Sequence, residues 1–234
     1  MPKTDDGPRG RYRAQVRSEI KRAALDQVAA GGAAAVALNA IAKRLGVSGP
    51  ALYKYFGSRD ELLTELILDG YADVAAAVAE AAEASAGQPA RDRLHALAAA
   101  FHAWAVAHPQ TYLLLTGPPS PTYQAPPDTV DRARAVLGPF LGVLAHGRPA
   151  PRATALRDQL TRWSADTPEV AAWVRAYAPE ADAGAALAAA VTVWTRLHGV
   201  IGLEAVGHFA GMGFAPATLL RAEIDALADA YGLP

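Results

Sequence analysis

One stretch, VALNAIAKRLGVSGPALYKYFGSRDEL at residues 36–62, restricts the fold of this chain more than any other. Leu38, Ile41, Ala42 and Leu45 recur at helical spacing. Gly46 follows at once, where glycine takes the left-handed backbone that closes a helix. Val47 is expected to point inward. Ser48 is an N-cap for the next helix, with Pro50 tolerated in its first turn. That helix is one and a half turns long, running into Leu52-Tyr53-Lys54-Tyr55-Phe56 before Gly57 stops it. Ser58 and Glu61 then form a capping-box signature for a further helix. Two short helices joined at a glycine, the second dense in tyrosine and lysine, suit the major groove of DNA.

The residues are specific enough to resemble a known family. Ile41-Ala42, Leu45-Gly46-Val47-Ser48, Leu52-Tyr53-Lys54-Tyr55-Phe56 and Ser58-Arg59-Asp60-Glu61-Leu62 are similar to the DNA-binding domain of the tetracycline-repressor (TetR) family. The resemblance reaches back through Val16, Ile20, Ala24 and Leu25 to Gly31-Gly32 and covers about the first 70 residues. One position departs from it: Ala37 lies where relatives carry a threonine or serine cap. Either Asn39 caps instead or the cap is missing.

Composition agrees with a two-domain, all-α regulator. The 234 residues suffice for one small and one medium domain. Alanine supplies 56 of them, and it has the highest intrinsic helix propensity. No window alternates in the manner of a strand. Cysteine is absent, which excludes disulfides and thiolate metal sites. No signal peptide is read at the N-terminus, and apolar runs are broken before the roughly 18 residues a membrane span needs. A cytoplasmic location is expected.

Net charge near zero conceals an asymmetry. Residues 1–59 hold eleven Lys/Arg against four Asp/Glu, a charge of +7, whereas residues 60–234 hold eleven against nineteen, a charge of −8. Arg9, Arg11, Arg13, Arg17, Lys21 and Arg22 concentrate the positive charge near the start of the chain. Next to the helix-turn-helix pattern, such a cluster reads as an electrostatic footprint for phosphates.

Helices are predicted at about 11–30, through the motif, and at 59–84, 90–107, 109–115, 128–146, 151–164, 168–178, 183–208 and 216–231. TGPPSPTYQAPP at 116–127 holds five prolines and cannot be regular helix. The implied organisation is a flexible arm at 1–10, a helix-turn-helix domain at 11–58, a connecting helix at 59–84 and a C-terminal ligand-binding and dimerisation domain at 85–234. Within the last, Phe101, Trp104, His108-Pro109 and Tyr112, with Trp194, His198 and Gly199, resemble the Trp-His-Gly (WHG) type of TetR-family ligand-binding domain.

The resemblance implies DNA contacts from Asn39, Ser48, Gly49, Pro50, Ala51, Tyr53, Lys54, Tyr55 and Arg59. Lys54 is the expected base reader, because it can donate to guanine O6 and N7. Tyr53, Tyr55 and Arg59 are expected on phosphates, and Leu52 and Phe56 in the core. An apolar or aromatic effector is implied for Phe101, Trp104, Tyr112, Trp163, Trp194 and His198, although aromatics at helical spacing are more often core than ligand box. His95 and His102 are seven apart, and His198 and His208 ten apart. Neither pair has the spacing of helical metal ligands, so no metal or cofactor is expected. No nucleophile elbow, Walker loop or dinucleotide fingerprint indicates an enzyme. The expected function is ligand-gated binding of a palindromic operator by a homodimer, usually a repressor released by its effector. The rival reading is an architectural protein that binds DNA non-specifically and has no effector.

Overall fold

Helix closure at Gly46 and helix initiation at Ser48 set the first unit. In the computed structural model, which describes residues 7–117, 123–126, 128–145, 147 and 154–234, α1 spans Pro8–Gly31, α2 Leu38–Arg44, α3 Gly49–Leu52 and α4 Arg59–Ala84. A 3-10 turn, Ala33–Ala35, links the first two. Gly46 takes φ +68°, as its place after Leu45 requires. Ser48 Oγ accepts from the Ala51 N–H at 3.3 Å, and Ser58 Oγ from the Glu61 N–H at 3.0 Å. The Glu61 carboxylate reaches back to the Gly57 N–H at 2.7 Å, completing the box one residue earlier than its usual form.

Several local expectations change. The α1 helix begins at Pro8, so Pro8–Gly10 are helical rather than part of an irregular arm; the rest of that arm, residues 1–6, lies outside the described residues. Val47 is half exposed rather than inward. The N-cap of α2 is Ala37, which makes no side-chain cap bond, and Asn39 does not replace it. The backbone N–H of Ala37 itself donates to Gln27 Oε1 of α1 at 2.9 Å, a partner that lies ten residues away in sequence. Residues 118–122 and 127 of the proline-rich segment, and 148–151 of GRPAP, also lie outside the described residues.

Two compact units result. The first contains residues up to Gly70 together with 110–126. Its core is Ile20, Ala24, Ile41, Leu52, Phe56, Leu62 and Leu63, all essentially inaccessible. Helix α6 (Pro109–Thr116) contributes to it through a close approach: a Cβ at Gly70 of α4 would come within 2.5 Å of Thr111 Cγ2. The Tyr123 and Thr64 hydroxyls add a hydrogen bond of 2.9 Å.

The second unit contains residues 71–109 and 127–234. Besides the end of α4 it holds α5 (Ala90–Ala107), α7 (Asp128–Leu144), α8 (Thr154–Asp166), α9 (Pro168–Tyr177), α10 (Ala183–Ala205) and α11 (Pro216–Ala230). The central element is α10, capped by Asp182 accepting from the Ala185 N–H at 2.8 Å and packed on α5, α7, α8, α9 and α11. Glycine lets α8 approach it: a Cβ at Gly184 would lie 2.6 Å from the Arg157 carbonyl oxygen. Contrary to the reading of broken apolar runs, α10 is by length and composition apolar enough to cross a membrane. Half of that stretch is buried among its neighbours, as in the core helix of a folded bundle. Among the described residues there are eleven α-helices and no strand, an all-α fold.

Candidate nucleic-acid interface

Tertiary contacts hold the short α3 in place, since four residues cannot sustain a helix alone. Leu52 and Phe56 anchor it with 0% exposure each. After Leu52 the backbone tightens: the N–H of Tyr55 bonds Leu52 O at 2.8 Å and that of Lys54 bonds Ala51 O at 3.3 Å. Lys54 therefore stands on a turn continuing α3, not inside a full helical turn. The anchors face the core, while Pro50, Tyr53 and Lys54 face outward; Tyr53 is 47% exposed and so no core tyrosine. Ser48 is exposed, and Gly49, Ala51 and Tyr55 are half-buried. Asn39 is exposed on α2 beside the start of α3, its Oδ1 3.3 Å from where a Cβ at Gly49 would sit. These residues share one edge of the unit.

Two arginines act on this edge from behind. Arg17 of α1 donates to Tyr55 O, pairs with Glu65 and lies 4.2 Å above the Phe56 ring, fixing the exit of α3 against α1 and α4. Lys21 pairs with Glu65 at 3.0 Å and Asp69 at 2.7 Å. Burial works against its charge, yet these bonds prevail and raise its pKa. Both residues belong to the cationic cluster read from sequence, but both are engaged inside the fold. Arg59 is too: its Nε donates to Val36 O at 3.1 Å and its Nη2 to Ala33 O at 2.6 Å. Its guanidinium clamps the 3-10 turn, a use that no motif signals because its acceptors are backbone carbonyls over twenty residues away.

The candidate ligand residues divide between the units. Phe101, Trp194 and His198 assemble on α5 and α10, with ring centroids 6.3 Å apart for Phe101–Trp194, 5.6 Å for Phe101–His198 and 4.0 Å for Trp194–His198. Burial lowers the His198 pKa to about 4, so its imidazole is neutral near pH 7. Trp104 stacks on His108 at 5.5 Å, and its buried indole N–H has no hydrogen-bond partner among the described residues. Tyr112 is fully buried in α6, and burial pushes its phenol up to about 12, but it belongs to the first unit. Trp163 is 44% exposed on α8, because α8 turns Ser164 inward instead. Sequence reasoning missed a cavity of about 110 Å³ lined by His95, His102, Leu220, Arg221 and Ile224, where His95 meets Asp225 at 2.8 Å and His102 meets Glu204 at 2.6 Å. It lies below the several hundred Å³ of a pocket for a drug-sized molecule.

With this geometry in view, two family models match. Residues 20–66 match one described as bacterial regulatory proteins of the tetR family, and residues 94–227 match the tetracyclin repressor-like C-terminal domain. The chain belongs to the tetracycline-repressor family. That family consists of transcriptional regulators rather than enzymes. The helix-turn-helix expected at residues 38–56 falls inside the N-terminal match, and Trp194-His198-Gly199 inside the C-terminal one. A similar curated protein is the HTH-type transcriptional regulator Rv1816 of Mycobacterium tuberculosis, 40% identical over 142 residues, 60% of this chain and 61% of that protein. The chain thus spans about 61% of the length of the curated relatives it matches. Among solved structures, SCO4313, described as a candidate regulatory protein, is 42% identical with a TM-score of 0.75, over 95% of this chain and 100% of that one. The TetR-family transcriptional regulator PfmR of Thermus thermophilus, at 19% identity and a TM-score of 0.57 over 89% of this chain and 96% of its own, shares the fold.

Proposed function

We propose that this TetR-family regulator acts in the cytoplasm as a homodimer that binds a palindromic operator and releases it when a small apolar or aromatic effector occupies the C-terminal unit. The observation that carries the DNA half is the edge at which Asn39, Ser48, Pro50, Tyr53 and Lys54 are exposed and Gly49, Ala51 and Tyr55 half-buried, around an α3 pinned by Leu52 and Phe56. Lys54 reads bases, Tyr53 and Tyr55 contact phosphates, and Arg59 supports the edge by holding the 3-10 turn. Two such edges, about one DNA turn apart, read a palindrome.

The effector half is supported by the aromatic cluster of Phe101, Trp194 and His198 with Trp104 nearby in sequence, the set read as WHG-type. A neutral His198 favours an uncharged ligand, and the Trp104 N–H favours one with a hydrogen-bond acceptor. Tyr112 is buried, whereas the exposure of Trp163 on α8 suits this role less well. Helix α4 contributes residues to both units without a break and is the element through which an effector's preference for the non-binding state would reach α3.

Lys54→Ala is the direct test. Binding to a duplex selected by the protein from a random pool should weaken by about 1–3 kcal/mol, while binding to scrambled DNA changes little. Equal losses on both duplexes would make Lys54 a phosphate contact, and equal wild-type affinity for both would favour the architectural reading.

A further inference from the structure

The first two turns of α1 stand apart from the rest of the first unit. Arg9, Arg11, Tyr12, Arg13, Ala14 and Gln15 are exposed, and the first buried residue of the helix is Ile20. Nothing in this segment contributes to the core, so burial does not explain why it is helical or why it is charged. There is no acidic residue in the first turn. The arginines therefore add to the positive end of the helix dipole, where an anion would be favoured, and the charges also repel one another. Such an exposed positive end is well matched to a polyanion.

Its position is fixed by Arg17. That residue is bonded to Tyr55 O and Glu65 and sits over Phe56, so α1 passes the exit of α3 at this point. Arg13 and Arg9 lie four and eight residues upstream on the same helix stripe, with Tyr12, 65% exposed, beside them. At 1.5 Å per residue they stand about 6 and 12 Å further along the axis, a reach of roughly two to four phosphates on one strand. Among the described residues neither Arg9 nor Arg13 has an ion pair, in contrast to Arg17 and Lys21, whose charges are met by Glu65 and Asp69.

We propose that Pro8–Gln15 is a second DNA contact, in which Arg9 and Arg13, with Tyr12 beside them, grip backbone phosphates beyond those reached from α3. It rests on the DNA-binding reading above and adds affinity without sequence preference.

The experiment compares full-length wild type with the Arg9→Ala/Arg13→Ala double variant, on a selected 40-base-pair duplex and on a random one, across a salt series. The slope of log affinity against log salt should fall by about 1.8 per protomer, about 0.9 for each phosphate no longer neutralised, on both duplexes alike. The preference for selected over random DNA should stay unchanged. Arg9→Lys/Arg13→Lys should restore most of the slope, and trimming base pairs that flank the palindrome should weaken the wild type but not the alanine variant. A variant slope equal to wild type on both duplexes overturns the contact. So does an unchanged slope with lost binding to anionic phosphatidylglycerol vesicles, which would assign the stripe to a lipid surface. The two readings fail separately: wild type that does not discriminate between the duplexes sinks specific operator binding, while the slope comparison on random DNA still decides the stripe. Wild type that binds neither duplex overturns both.

Discussion

Phe56→Ala should abolish DNA binding without touching any residue of the exposed edge. Phe56 has no solvent exposure and belongs to the core of the first unit. It is also the platform for the Arg17 guanidinium, 4.2 Å from its ring centroid. Truncating a buried phenylalanine costs about 3–5 kcal/mol, through lost transfer free energy and the cavity left behind. A small helical unit commonly has little more than that in reserve. With α3 only four residues long, nothing local would hold it once its anchor is gone. The expected result is loss of operator retention in a mobility-shift assay, new protease cleavage between residues 38 and 57, and persistence of most helical circular dichroism from the second unit. Binding within threefold of wild type, together with unchanged protease resistance, would show that α3 is held by contacts other than Phe56.

Val206→Arg, or Leu203→Arg, should convert a dimer into monomers and lower operator affinity at least a hundredfold. The second unit exposes an apolar stripe along α10 and its C-cap: Val191 is 39% exposed, Leu203 41% and the C-cap Val206 53%. Thr195 and Gly199 continue it at four-residue spacing, and apart from the helix's own adjoining backbone no atom of the chain lies within 4 Å of where a Cβ at Gly199 would be. Such a flat stripe allows close approach of a second backbone, and a two-fold contact would cover it with itself. A guanidinium placed there must be desolvated without a partner, which costs several kcal/mol. Operator affinity follows because linking two half-site modules raises affinity by about 10²–10⁴ over one. Light scattering at micromolar concentration reads the first effect and a mobility shift the second. Wild type that is monomeric without DNA, or a variant that still dimerises, would remove α10 from the seam.

What the amino-acid order settled, and what it left to the fold, divides along the range of the interactions involved. Helix limits depend on local chemistry, so Gly46, Ser48, Ser58 with Glu61, and the limits 59–84 and 90–107 were legible in advance. The family could be read for the same reason: its motif is a run of caps, turns and apolar spacings within one 27-residue stretch. The inward placing of Leu52 and Phe56 was expected from the family motif they belong to, and both have no solvent exposure.

Long-range pairings were not legible. Gln27 accepts from the N–H of the uncapped Ala37, and Arg59 serves carbonyls at Ala33 and Val36. Arg17 and Lys21 are drawn inward by Glu65 and Asp69, which leaves Arg9 and Arg13 as the outward cations of the same stripe. Sequence counts charges but does not say which of them meet, because pairing is decided by the relative placement of helices 48 residues apart in the chain. Likewise, six aromatic and histidine positions read as one ligand set. The structure brings the rings of Phe101, Trp194 and His198 together, whereas α8 turns Trp163 to solvent. Composition specified that these side chains would seek burial, and only the packing of α5 against α10 brought the rings of Phe101, Trp194 and His198 together.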